Sequence, residues 1–106
     1  MKALRPKPYD EKLVFSDGSY ILTDHNQDCC EYNFADWSSL DDTGFWETNF
    51  KSIEVKPWEY GFLINGFSVN CYSEQNGYYS SDLEVYYFSH KNKLISSFNI
   101  DCEEIE

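Results

Sequence analysis

Positive charge is scarce in this chain, and its placement is more informative than its shortage. Eight Lys and Arg stand against nineteen Asp and Glu in 106 residues, a formal net charge of −11. No Lys or Arg occurs between Leu13 and Phe50, or again between Pro57 and His90. Such a field repels nucleic acid and disfavours direct DNA or RNA binding. It attracts basic surfaces, including those that other proteins use to hold nucleic acid. Charge of this kind also simply keeps a small protein soluble. No run approaches the ~20 apolar residues that a membrane span needs. Met1 to Tyr9 is basic and proline-containing, with no apolar core of a signal peptide, so export is not expected. The four cysteines are then expected to stay reduced in a cytoplasmic setting.

Catalytic and metal-binding motifs are also missing. The five glycines are scattered at turns, with no phosphate-cradling loop. There is no Cys-x-x-Cys pair, and the adjacent Cys29 and Cys30 fit neither a two-bridge disulfide framework nor a standard zinc spacing. Their neighbours Asp28 and Glu31 oppose thiolate formation, which needs nearby positive charge. The sequence therefore points to a binding protein rather than an enzyme, with no cofactor.

Aromatic residues, by contrast, are abundant: nine Tyr, eight Phe and three Trp. A chain this short is one domain and must build its core efficiently. Each aromatic side chain buries roughly 150–250 Å², so a few suffice and the surplus is available to interfaces. Any single Tyr also suits a strand, where aromatic residues fit the pleated surface.

The punctuation is that of β-hairpins. Met1 to Glu11 reads as an extended, mobile lead-in, because Pro6 and Pro8 break regular structure. Residues 12–106 then form one β-rich domain. Leu13 to Phe15 and Tyr20 to Thr23 flank an Asp17-Gly18 turn, and Trp58 to Ile64 and Phe67 to Tyr72 flank Asn65-Gly66. Asn-Gly alone between two apolar runs predicts a two-residue type I′ hairpin. Ile53 and Val55 lead into Pro57, which suits an edge strand. Strands are also expected over Tyr79 to Ser89 and Leu94 to Ile100, with a polar turn at His90 to Lys93. The acidic tail from Asp101 is expected to fray unless Cys102 and Ile105 dock. Asp36-Trp37-Ser38-Ser39-Leu40 has capping residues and predicts one or two short helical turns. The expected fold class is α+β, mainly an antiparallel hairpin meander with those turns.

Two sets of residues are candidates for binding. Tyr32, Asp36, Trp37, Asp41, Asp42, Trp46 and Glu47 combine aromatic anchors with carboxylates that can stand in for phosphates. They suit a partner protein with a basic surface, such as a defence nuclease or effector complex. His25, Gln27, Asp28, Glu31, Asn76, Tyr78 and Tyr79 instead suit a small polar ligand, held by hydrogen bonds and stacking.

The second set lies in two stretches, His25-Asn26-Gln27-Asp28-Cys29-Cys30-Glu31 and Asn76-Gly77-Tyr78-Tyr79-Ser80, preceded by Asp17-Gly18. In this order they resemble an uncharacterised family of small proteins of tailed phages and prophages. The likeness runs from about Lys12 to Phe88. Where that family usually continues with a short acidic, glycine-containing segment, this chain has Asp36-Trp37-Ser38-Ser39. The resemblance implies a phage-type origin, and hence the host bacterial cytoplasm, but no activity. Charge and origin together lead to an acidic, anti-CRISPR-like inhibitor of a nucleic-acid-handling host protein. The alternatives are a module that sequesters a nucleotide defence signal and an immunity protein against a nuclease toxin.

Overall fold

A computed structural model describes residues 1–25, 30–75, 77 and 79–105. Its strands are β1 (Ala3–Leu4), β2 (Lys12–Phe15), β3 (Tyr20–Asp24), β4 (Tyr32–Asp36) and β5 (Val55–Trp58). They continue with β6 (Gly61–Ile64), β7 (Phe67–Glu74), β8 (Asp82–Phe88), β9 (Leu94–Asp101) and β10 (Glu103–Ile105). The helical content among the described residues is one 3₁₀ turn, Trp37–Leu40. The fold is thus nearly all β, which corrects the expected α+β class. The capping signals at Asp36 are real: its carboxylate accepts the Ser38 backbone N–H at 3.1 Å. They start only this short turn, because four residues cannot sustain an α-helix.

The strands divide into two five-stranded sheets rather than one meander. The first has the order β1-β2-β3-β8-β9. In the second, β7 is central, with β4 along one edge, β6 and then β10 along the other, and β5 outside β6. Buried side chains alternate along β2 (Leu13, Phe15), β8 (Leu83, Val85, Tyr87) and β7 (Val69, Cys71, Ser73). That is the period-two pattern of strands with one face turned inward. Both inner faces supply one hydrophobic cluster, so the sheets pack as two layers.

The expected hairpin at Asn65-Gly66 forms, with φ of 48° and 85° at the two turn residues. Asn65 also holds the approach to β5, since its amide donates to the Ser52 carbonyl at 2.7 Å. The run Trp58 to Ile64 is not one strand, however. β5 ends at Trp58, and a turn at Glu59 and Tyr60 starts β6 at Gly61. Gly61 is required there, because a Cβ would lie 2.0 Å from the Val69 carbonyl oxygen. Pro57 lies on the edge strand expected of it.

The lead-in is part of the sheet. Ala3 is buried, β1 pairs with β2, and the terminal ammonium donates to the Phe50 carbonyl at 2.7 Å. The tail also docks, with Cys102 buried and β10 running parallel to β7. Pro6 and Pro8 do break the ladder after Leu4, but the segment beyond them returns to pack on β4.

Candidate binding groove

That return of the chain creates a groove of about 490 Å³. Its lining comes from Arg5 to Tyr9, from Phe34 to Ser38 with Asp41 and Trp46, and from Tyr72, Glu74 and Ile105. Alternation explains the outer wall. Along β4, Asn33 and Ala35 turn inward and Tyr32 and Phe34 outward, and Tyr72 lies beside Phe34 on β7. Tyr9 extends this aromatic surface, its ring 5.5 Å from Tyr32 and 4.9 Å from Phe34. Exposed apolar rings on adjacent strands would be costly alone, and stacking covers part of them.

The proposed partner-binding residues take different places around this groove. Trp37 is only 4 % exposed: its indole N–H donates to the Asp10 carbonyl at 2.7 Å, and its ring meets Phe62 edge-on. It is a core residue whose edge lines the groove, not a projecting anchor. Trp46 is half-buried and its indole N–H donates to Asp41 at 2.8 Å. Arg5 lies over the Trp46 ring at 4.7 Å and also pairs with Asp41. The Trp46 and Arg5 hydrogen bonds hold the Asp41 carboxyl below its ordinary range. Tyr32 is half-buried, and its hydroxyl faces the Tyr9 carbonyl at 3.4 Å. Burial, then the charge of Glu11, pushes its phenol up. Asp36 caps the 3₁₀ turn, while Asp42 and Glu47 face solvent.

Of the ligand-pocket candidates, His25, Glu31 and Tyr79 lie at one end of the sandwich, where β3 leads to β4 and β7 to β8. His25 has both ring nitrogens near carboxylates: Nε2 lies 2.7 Å from Glu31 and Nδ1 3.5 Å from Asp82. The His25 and Glu31 side chains are almost wholly buried. Asp82 is held below the ordinary carboxylate range, chiefly by the Ser80 hydroxyl and then by Asn99 and the charge of His25. The Tyr79 backbone N–H donates to Gln75 at 2.8 Å. Gln27, Asp28, Asn76 and Tyr78 lie outside the described residues.

Sequence reasoning missed the groups that organise this end. Asn33 on β4 donates to the carbonyls of Ser80 and Asp82 at 3.0 and 2.8 Å, and accepts from the Ser73 hydroxyl. Gln75 donates to the Ser73 hydroxyl at 2.6 Å. The only advance signal was polar residues at inward positions of otherwise apolar strands. The groove's Arg5, Lys7 and Tyr9 were missed because they belong to the segment read as mobile.

Cys71 and Cys102 are buried, and each other's proximity, then burial, pushes the Cys71 thiol far up. This is the reverse of what a nucleophile needs. No helix among the described residues is long and apolar enough to cross a membrane. Comparison with protein-family models, curated proteins and solved structures finds no match to this chain.

Proposed function

We propose that this protein is a non-catalytic binding module that holds a basic segment of a partner protein in the aromatic groove and thereby inhibits it. The observation that carries this reading is the combination, at a single groove, of an aromatic lining with three acids, Asp36, Asp41 and Glu74, against two bases, Arg5 and Lys7. It sits on a molecule of net charge −11. The volume falls within the roughly 300–1,000 Å³ of ordinary binding sites. Aromatic walls offer contact area at low entropic cost, and the surrounding negative field favours encounter with a positively charged chain.

Recognition by a row of carboxylates imitating a phosphate backbone is less well supported. Asp41 is already engaged by Arg5 and Trp46, and Asp36 by the 3₁₀ turn. The reading therefore keeps the basic partner and moves the contact into the groove. A host nuclease or effector complex that handles nucleic acid has the required kind of surface, and the phage-type resemblance is consistent with such a target.

Affinity capture from a bacterial host lysate at low and high salt tests this, using the native chain beside Trp46→Ala and Tyr72→Ala. The expected result is a stoichiometric basic protein held by the native chain, released by salt, and lost with either substitution. A partner retained equally by both variants, each shown to be folded by circular dichroism, would refute the groove as its site.

A second reading, a small polar ligand at the His25 end, is favoured by the approach of His25 and Glu31, in the first motif stretch, to Asp82, two residues beyond the second. Thermal-shift titration with a panel of cyclic and linear nucleotides would test it. Stabilisation abolished by Tyr79→Ala would support that site over the groove.

A further inference from the structure

Three features converge on β9. It forms one edge of the first sheet, eight residues long, with no charge or proline from Leu94 to Ile100. Natural edges are usually blunted against pairing, and the others here are. β1 has two residues before Arg5-Pro6, β5 carries Lys56-Pro57, β10 is short and acidic, and Tyr9 packs beside β4. β9 has a bulge at Ile95, beyond which Ser96 to Asp101 keep regular register, and β5 of the other sheet lies near its end.

The second feature is apolar exposure. Six large hydrophobic residues are conspicuously exposed among the described residues, and four of them flank this edge. Leu94 (47 %) and Ile95 (58 %) lie at its start, and Trp58 (49 %) and Tyr60 (54 %) beside its end. The latter two border a shallow, open cleft of about 410 Å³ that Asn99, Ile100 and Asp101 also line. Tyr60 is held there at φ 52°, a conformation uncommon for a bulky residue, with its carbonyl accepting the Cys71 N–H at 3.0 Å. The third feature is charge. Lys91 and Lys93 precede the strand, while Asp101 and Glu59 stand at its end.

We infer that β9 pairs antiparallel with β9 of a second copy of this chain, joining the two first sheets into one continuous ten-stranded sheet. A two-fold axis near Phe98 sets Ser96 opposite Ile100 and preserves inward and outward faces. The start of each strand then meets the end of the other. Leu94 and Ile95 of one copy reach the Trp58–Tyr60 cleft of its partner, and Lys93 reaches Asp101. Both matches arise from the same operation, as an isologous interface requires. The general repulsion between two acidic copies is screened over about 8 Å at physiological ionic strength, whereas these pairs are in contact. The inference is independent of the groove, which lies on the other sheet.

Sedimentation velocity from about 1 to about 100 µM tests it, a range that brackets a weak dimer. The expected result is a monomer–dimer equilibrium that Ile95→Lys and Ser97→Pro each weaken at least about tenfold. Lys93→Glu and Asp101→Lys should each weaken it as well, although they change the net charge in opposite directions. The double reversal should restore it. A monomer throughout the range overturns the inference, and so does a dimer indifferent to Ile95→Lys. Failure of the double reversal to recover the affinity lost in the single variants also overturns it. Ile95 is exposed, so its substitution separates pairing from folding even if Ser97→Pro disturbs the strand.

Discussion

The two ends of the sandwich solve one problem with different chemistry. Both close the space between the two sheets that share the core. At one end Phe15, Phe45, Phe50 and Phe67 fill it, with ring centroids 5.3 to 6.5 Å apart and mostly edge-on. At the other, Asn33, Ser73 and Gln75 span it with hydrogen bonds, and His25 and Glu31 add a buried pair. The aromatic end gains from area and dispersion, which tolerate approximate geometry but not missing volume. The polar end contributes little net energy per bond, yet each group is expensive to leave unmatched. One end is sensitive to size and the other to the identity and ionisation of single groups.

The largest test of this contrast is Phe45→Ala. Phe45 is fully buried against Trp46, Phe50 and Phe67, so the cavity should cost about 3–5 kcal/mol in urea-unfolding stability. Next is Asn33→Ala, which removes less volume but takes the Asn33 donor from the Asp82 carbonyl, one of two side-chain donors from the Ser80 carbonyl, and the acceptor of the Ser73 hydroxyl. A loss of about 1–3 kcal/mol is expected. Equal losses in the two variants, or a larger one at Asn33, would erase the distinction.

The smallest effect is a pH dependence at the polar end. The folded carboxyl of Asp82 lies below its ordinary value of 3.8, so its ionised form favours the folded state. Its contribution is fully present above 3.8 and is lost as the pH falls through the depressed folded value. With the side chain 39 % exposed, solvent screening keeps this under about 1 kcal/mol. Asp82→Asn should therefore be slightly less stable than the native chain at pH 7, with the gap closing in acid. A gap that stays constant down to about pH 2.5, well below the ordinary value of 3.8, would mean that ionisation of Asp82 is irrelevant.

Much of the local structure was legible in advance, for reasons that are themselves local. Asn65-Gly66 tolerates the left-handed backbone that a tight hairpin needs, and Pro57 cannot sit in a central strand. Both constraints act within a few residues. The lead-in was misread because Pro6 and Pro8 say only that the ladder stops, and nothing nearby says that Tyr9 finds Tyr32. Trp37 was read as an anchor because its surroundings in sequence are polar. Its burial depends on Phe62 and on the Asp10 carbonyl, both remote along the chain.

The sequence by itself determined that the chain is acidic, strand-forming and rich in aromatic residues, because composition, period-two alternation and turn residues act at short range. Tertiary structure alone decided that the strands divide between two sheets and that the tail runs parallel to β7. It also decided that Arg5 neutralises Asp41 beside Trp46 and that His25 reaches Asp82. Those outcomes depend on which distant groups meet when the apolar faces are buried together, and no window along the chain contains both partners.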